Sequence, residues 1–167
     1  MINLPVSVCY GIAAASVPAL SAAVARGEGV RKKLTDALSL TLLLGALATV
    51  ALLLFAAPAV RILFGSLSAA QSQTLVALVK TYAISALLLS ATQTLSACLT
   101  AMGRPVFAAL SMAVAMTAKT VVSVLLVGNP TVSVQGAAIA GNIGYAISFA
   151  LDALFAYTLA HKREKGL

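Results

Sequence analysis

Lys119 and Asp152 are the two charged side chains of this 167-residue chain that stand where charge is hardest to keep. Each interrupts an apolar run: Pro105 to Val127 is uncharged except for Lys119, and Gly136 to Ala160 except for Asp152. Met112, Met116, Lys119 and Ser123 follow at spacings of 4, 3 and 4, so Lys119 belongs to a definite helical face. A lysine near a bilayer centre is unfavourable by about 2.5–3.5 kcal/mol and therefore turns to the bundle interior, a partner or water. Asp152, the one carboxylate inside such a run, has three chemistries open to it: neutralising Lys119, binding a coupling cation, or relaying protons. Both lie about eight residues, roughly 12 Å, from an end of their runs, but from opposite ends, so a direct pair requires the lysine to point toward the aspartate. Thr81, Ser85, Thr92, Ser96 and Thr100 recur at spacings of 4, 7, 4 and 4, with Gln93 beside them. That face serves either for hydrogen bonds between helices or as the lining of a watery cavity; Gln93 favours the cavity, since a buried amide needs several partners. Asn142, almost three turns from Asp152, is expected on another face.

The elements that must position these residues follow from composition. The chain is 61% hydrophobic, 9% charged and 5% aromatic. Soluble domains carry about 25% charged residues, so this sequence cannot cover a soluble surface and its solvent is lipid. About 20 apolar residues span a hydrocarbon core of about 30 Å. Uncharged runs predict an all-α integral membrane bundle of five transmembrane helices, a single domain, at roughly 4–25, 37–57, 75–101, 105–127 and 136–160. Pro58 to Thr74 reads as a longer connection, and Gly128-Asn129-Pro130-Thr131 as a turn. The first run is a helix rather than a cleaved leader, because no basic residue precedes it and it outruns an h-region of about 7–15 residues. Pro18 bends it.

Charge then gives direction. Arg26, Arg31, Lys32 and Lys33 fall between the first and second spans, Arg104 between the third and fourth, and Lys162, Arg163 and Lys165 after the fifth. Alternate crossing puts these 8 of the 11 basic residues on one side, which the positive-inside rule assigns to the cytoplasm, with the N-terminus outside. The net charge of +7 is thus a topological signal rather than a nucleic-acid one. Lys80 lies near enough to a helix end to reach the outer headgroups. An outside N-terminus opening directly into an apolar helix fits a chain preceded by an odd number of further helices. Within the spans, Thr41, Gly45 and Thr49 form the small or polar line of a second helix that mostly faces lipid. Gly136, Ala140, Gly144 and Ser148 form a small-residue packing seam in the fifth, ending at Asp152.

No catalytic set emerges. Four acids and one histidine are too few for a dedicated metal site, and His161 sits in a basic tail. Cys9 and Cys98 are expected at opposite ends of their helices, too far apart to bridge. The chain is not expected to be an enzyme and calls for no cofactor beyond a possible coupling Na+ or H+.

A resemblance ties these features together. Leu4-Pro5 and Ser16-Val17-Pro18-Ala19-Leu20-Ser21 before a basic loop resemble the multidrug/oligosaccharidyl-lipid/polysaccharide exporter superfamily. So do Ala57-Pro58-Ala59-Val60-Arg61-Ile62-Leu63-Phe64-Gly65 and Ala101-Met102-Gly103-Arg104-Pro105. Ala118-Lys119 and Val134-Gln135-Gly136-Ala137-Ala138-Ile139-Ala140 are similar to its sporulation stage V protein B and lipid II flippase branch. The resemblance spans roughly residues 4–160. It implies most of the C-terminal lobe, helices eight to twelve, of a two-lobe transporter in the cell membrane that moves lipid-linked sugars by alternating access. It also implies a missing N-terminal lobe or partner chain, and a bilayer and a lipid-linked sugar as the other partners. Ser123 departs from the branch, where an Asn commonly stands. A cation-coupled multidrug exporter and a non-transporting packing subunit are the alternatives. Lys119 and Asp152 sharing a wide polar cleft with Gln93 would favour transport, and a dry pair would favour the subunit.

Overall fold

A computed structural model describes residues 21–22, 24–26, 29–66, 68–127 and 133–164. The expected first span, with Pro5, Cys9 and Pro18, lies outside the described residues apart from its last turn, and so does the turn at 128–131. The next four spans are helices α1 (Val30–Leu63), α2 (Ala69–Ala101), α3 (Pro105–Val127) and α4 (Ser133–Glu164). Each is long and apolar enough to cross a membrane, and no strand occurs among the described residues. The protein is an all-α membrane bundle.

Three helices are longer than their uncharged cores, because helix formation does not stop where hydrocarbon does. α1 has 34 residues, about 51 Å, and its first turns carry Arg31, Lys32 and Lys33 into the headgroup zone. At its other end the expected break at Pro58 does not occur. Proline removes one backbone hydrogen bond, but Ala56 and Val60 on either side are buried against Val79, and that packing keeps the helix going to Leu63. The long connection expected from Pro58 to Thr74 therefore shrinks to Phe64–Ser68. α2 starts early through a capping box: the Gln71 amide donates to Ser68 Oγ and the Ser68 amide donates to Gln71 Oε1 at 3.1 Å. That pattern, a serine followed three residues later by glutamine, was legible in the sequence. At the α2–α3 corner the Gly103 and Arg104 amides donate to Thr100 and Leu99 carbonyls, with Gly103 at φ 72. Glycine takes this left-handed position without strain, and Pro105 opens α3 where its missing N–H is not needed.

The helices pack in the spatial order α1, α2, α4, α3, with α2 and α4 at the centre. Thr41 Oγ1 meets Thr94 Oγ1 at 2.9 Å and Thr49 Oγ1 donates to the Ala83 carbonyl at 3.1 Å, so α1 and α2 are antiparallel. The Thr41, Gly45, Thr49 line is the buried stripe of α1, while Leu43, Leu47 and Leu54 point outward. α4 runs parallel to α2 and antiparallel to α3. Arg31, Lys32, Lys33, Arg104 and Lys162 consequently gather at one end, where Val30, Leu34, Leu95, Leu99, Met102, Ala156 and Ala160 form the largest buried cluster. Phe107 and Phe155 close it from α3 and α4, ring centroids 4.9 Å apart.

α3 and α4 approach through small residues. A Cβ at Gly136 would lie 2.9 Å from Leu126 Cβ, and one at Gly144 would lie 2.9 Å from Lys119 Cβ and 3.2 Å from the Ala115 carbonyl oxygen. Ala140 and Ser148 in the same row are buried. A Cβ at Gly141, one residue off the row, meets nothing within 4 Å. Gly136→Ala should therefore force the helices apart and destabilise by about 1–3 kcal/mol, whereas Gly141→Ala should stabilise by roughly 0.5–1 kcal/mol through backbone entropy. Unfolding of the two variants in detergent, followed by loss of helical ellipticity, measures both signs.

Candidate functional site

The polar side chains of the interior arise from helix periodicity and from how each hydroxyl is satisfied in lipid. Thr81, Thr92 and Thr100 donate back to the Ala77, Leu88 and Ser96 carbonyls of their own helix. Three of the five hydroxyls of the α2 stripe are thus satisfied by their own helix. Only Ser85 and Ser96 reach α4. Ser85 Oγ donates to Asn142 Oδ1, and Asn142 Nδ2 donates on to the Thr81 carbonyl at 3.1 Å. Ser96 Oγ donates to Asp152 Oδ2 at 2.8 Å. Asn142 and Asp152 therefore share the α2-facing side of α4, against the expectation of separate faces. Ten residues of helix rotate their positions by only about 80° from one another, and an interface stripe can be 100° wide or more.

Asp152 is fully buried where three helices meet. Ser96 approaches from α2 and Ser111 from α3, but the Ser111 hydroxyl is committed to the Phe107 carbonyl at 2.8 Å. Asp152 Oδ1 is left without a hydrogen-bond partner among the described residues, and so is Ser148 Oγ one helical turn earlier. Buried polar atoms without partners are costly, and here two lie on successive turns of one helix. The uncommitted atoms are all oxygens, which suit a proton or a hard monovalent cation. Sequence reasoning missed Ser111, which belongs to no polar periodicity of its own helix.

Lys119 is elsewhere. It is half-buried between α3 and α4, its stem packed over Gly144 and its Nζ 5.7 Å from the centre of the Tyr145 ring. The Lys119–Asp152 pair does not form: the lysine sits level with residues 144–145, seven to eight residues and about 10–12 Å along α4 from the aspartate. The Tyr145 face gives the ammonium a partner worth about 0.5–2 kcal/mol. Gln93 is half-buried on α2, and no hydrogen bond reaches its amide among the described residues; Ser123, one turn beyond Lys119, is also half-buried. Neither of the two arrangements weighed for Lys119 and Asp152, a cleft shared with Gln93 or a dry pair, is formed among the described residues: the lysine lies against Gly144 and Tyr145, and the aspartate against Ser96. Arg26, Arg31, Lys32, Lys33 and Arg104 are exposed. Cys98 is a buried free thiol in the core at the basic end.

The family model described as lipid II flippase MurJ matches residues 1–167. No curated protein and no solved structure matches the chain.

Removing the Ser96 hydroxyl that donates to Asp152 Oδ2 should be costly, because it strips a buried carboxylate oxygen of its hydrogen bond. Ser96→Ala is expected to lower stability by about 1–3 kcal/mol. Asp152→Asn keeps the shape and the acceptor for Ser96 while removing the buried charge, so its unfolding temperature should equal or exceed that of the parent. Thermal unfolding of both variants in detergent checks the opposite signs.

Proposed function

Because the chain belongs to the lipid II flippase MurJ family, we propose that it forms most of one lobe of a flippase that moves a lipid-linked peptidoglycan precursor between leaflets by alternating access. The observation that carries this reading is the family match from residue 1 to residue 167. The multidrug exporter is set aside, since the matching family is a flippase family. A second lobe, supplied by further helices or a partner chain, completes the pathway.

In this reading the lobe moves as a body. Rocking of one half against the other requires each half to hold together without water, and the Ser85–Asn142–Thr81 and Ser96–Asp152 links tie the α1–α2 pair to the α4–α3 pair. The positive-inside rule supports a cytoplasmic position for the end carrying Arg31, Lys32, Lys33, Arg104 and Lys162, and an outside N-terminus. Asp152 is the group of this chain suited to carry a coupling charge, either H+ or Na+. Lys119, held over Tyr145, supplies a fixed positive charge at the other polar level of the lobe.

The test is made in the full-length context, in cells depleted of their own lipid II flippase. Precursor reaching the outer face is measured with an externally added enzyme that cleaves it. The parent protein should restore translocation. Asp152→Asn and Lys119→Ala should each lower its rate by about tenfold, a loss of about 1.4 kcal/mol, with membrane levels and drug tolerance unchanged. Failure of the parent to restore translocation, or a change in drug tolerance with translocation intact, defeats the proposal.

A further inference from the structure

Two basic residues do not fit the gathering of positive charge at one end. Arg61 lies in the last turn of α1 and Lys80 is the twelfth residue of α2, both toward the end opposite the basic loops. Neither has an acidic partner among the described residues: Asp36 lies in the second turn of α1, at the basic end, and Asp152 inside the bundle. A pair of uncompensated cations near a membrane surface is costly to keep together, since like charges repel, unless something anionic joins them.

The fold brings them to one place. Because α1 and α2 are antiparallel, Ala57 and Arg61 face Ser72, Gln73, Val76, Ala77 and Lys80 across a cleft of about 290 Å³. Lys80 starts about 17 Å from the beginning of α2, yet it lines the same cleft as Arg61, and a lysine stem is long and flexible enough to carry its ammonium toward the headgroups. The cleft therefore has two cations and the polar Ser72 and Gln73 toward the headgroup region, and Ala57, Val76 and Ala77 as apolar walls. Its size is at the low end of small-molecule sites, about 300–1,000 Å³, which suits a headgroup rather than a whole lipid. The α1 surface beside it, Leu54, Ile62 and Leu63, is openly apolar and offers acyl chains a place to lie.

We propose that the cleft framed by Arg61 and Lys80 binds the phosphate of an anionic phospholipid headgroup in the leaflet opposite the basic loops. Guanidinium supplies the bidentate fork for the phosphate oxygens and the ammonium a point charge on the other side. The site lies on the α1–α2 hairpin, apart from Asp152 and Lys119, and does not depend on what the lobe transports.

Each basic residue near an anionic surface contributes about 1 kcal/mol, about fivefold, so the pair contributes roughly thirtyfold. The purified protein in detergent is titrated with phosphatidylglycerol, with phosphatidylcholine and with inorganic phosphate, and bound adducts are counted by native mass spectrometry. Phosphatidylglycerol should bind in preference to phosphatidylcholine. Arg61→Gln/Lys80→Gln should weaken it about thirtyfold, Lys80→Gln alone about fivefold, Arg61→Lys by less than either, and Lys32→Gln/Lys33→Gln not at all. Circular dichroism confirms that each variant keeps its helices, and Lys80→Gln, on an exposed position, carries the test if the double variant loses them. Equal binding of the two lipids, equal binding by parent and Lys80→Gln, or saturation of the cleft by inorganic phosphate alone overturns the proposal.

Discussion

The bundle depends on the hydrogen bonds that α2 makes to α4 in a medium where apolar surface has no preference for other helices. Leu43, Leu47 and Leu54 of α1, and Val114, Val121 and Val124 of α3, are exposed because lipid tails are as good a neighbour as another leucine. What selects one arrangement is the requirement that polar side chains find partners. Ser85 with Asn142, and Ser96 with Asp152, meet that requirement at two levels of the same interface, about 15 Å apart along α4, and so set both its register and its rotation. Were α4 turned by a third of a revolution, an amide and a carboxylate would face hydrocarbon.

Around that central pair the outer helices attach by close packing. α1 lies on α2 through Thr41, Gly45 and Thr49, and α3 on α4 through Gly136 and Gly144; in both cases a small residue lets a neighbour approach to van der Waals distance. Dispersion falls off steeply with separation, so these glycines contribute through the contacts of their neighbours rather than their own. The seam of α4 thus has two roles that its spacing alone does not separate. Gly136 and Gly144 pack against α3, while Ser148, in the same row and one turn before Asp152, carries an oxygen without a partner among the described residues.

Lys119 and Asp152 show how far a sequence carries such a reading. Both were recognisable as charges out of place, and their different depths were countable. Their partners were not. Lys119 rests over Tyr145, an aromatic that no motif singled out, and Asp152 is met by Ser111, which has no polar neighbour in sequence. The α2 stripe is divided: Ser85 and Ser96 make the hydrogen bonds between helices that its spacing allows, while its three threonines hydrogen-bond their own backbone, an option open to any hydroxyl on any helix. Local signals were stronger. The Gly103-Arg104-Pro105 corner and the Ser68–Gln71 cap are each written within four residues, although the cap falls inside the stretch expected as a connection.

The sequence by itself determined the solvent, the placing of the spans that became α1 to α4, their alternating direction and the end at which basic residues collect. These follow from the cost of each charge in hydrocarbon, which is a property of one residue at a time. Tertiary structure alone decided that Lys119 and Asp152 stay apart, that Asn142 and Asp152 share an interface, and that Arg61 and Lys80 face one cleft. Periodicity tells which residues share a face of one helix; which face of the next helix they meet depends on rotation, depth and crossing. Those are fixed only when all the partners compete at once.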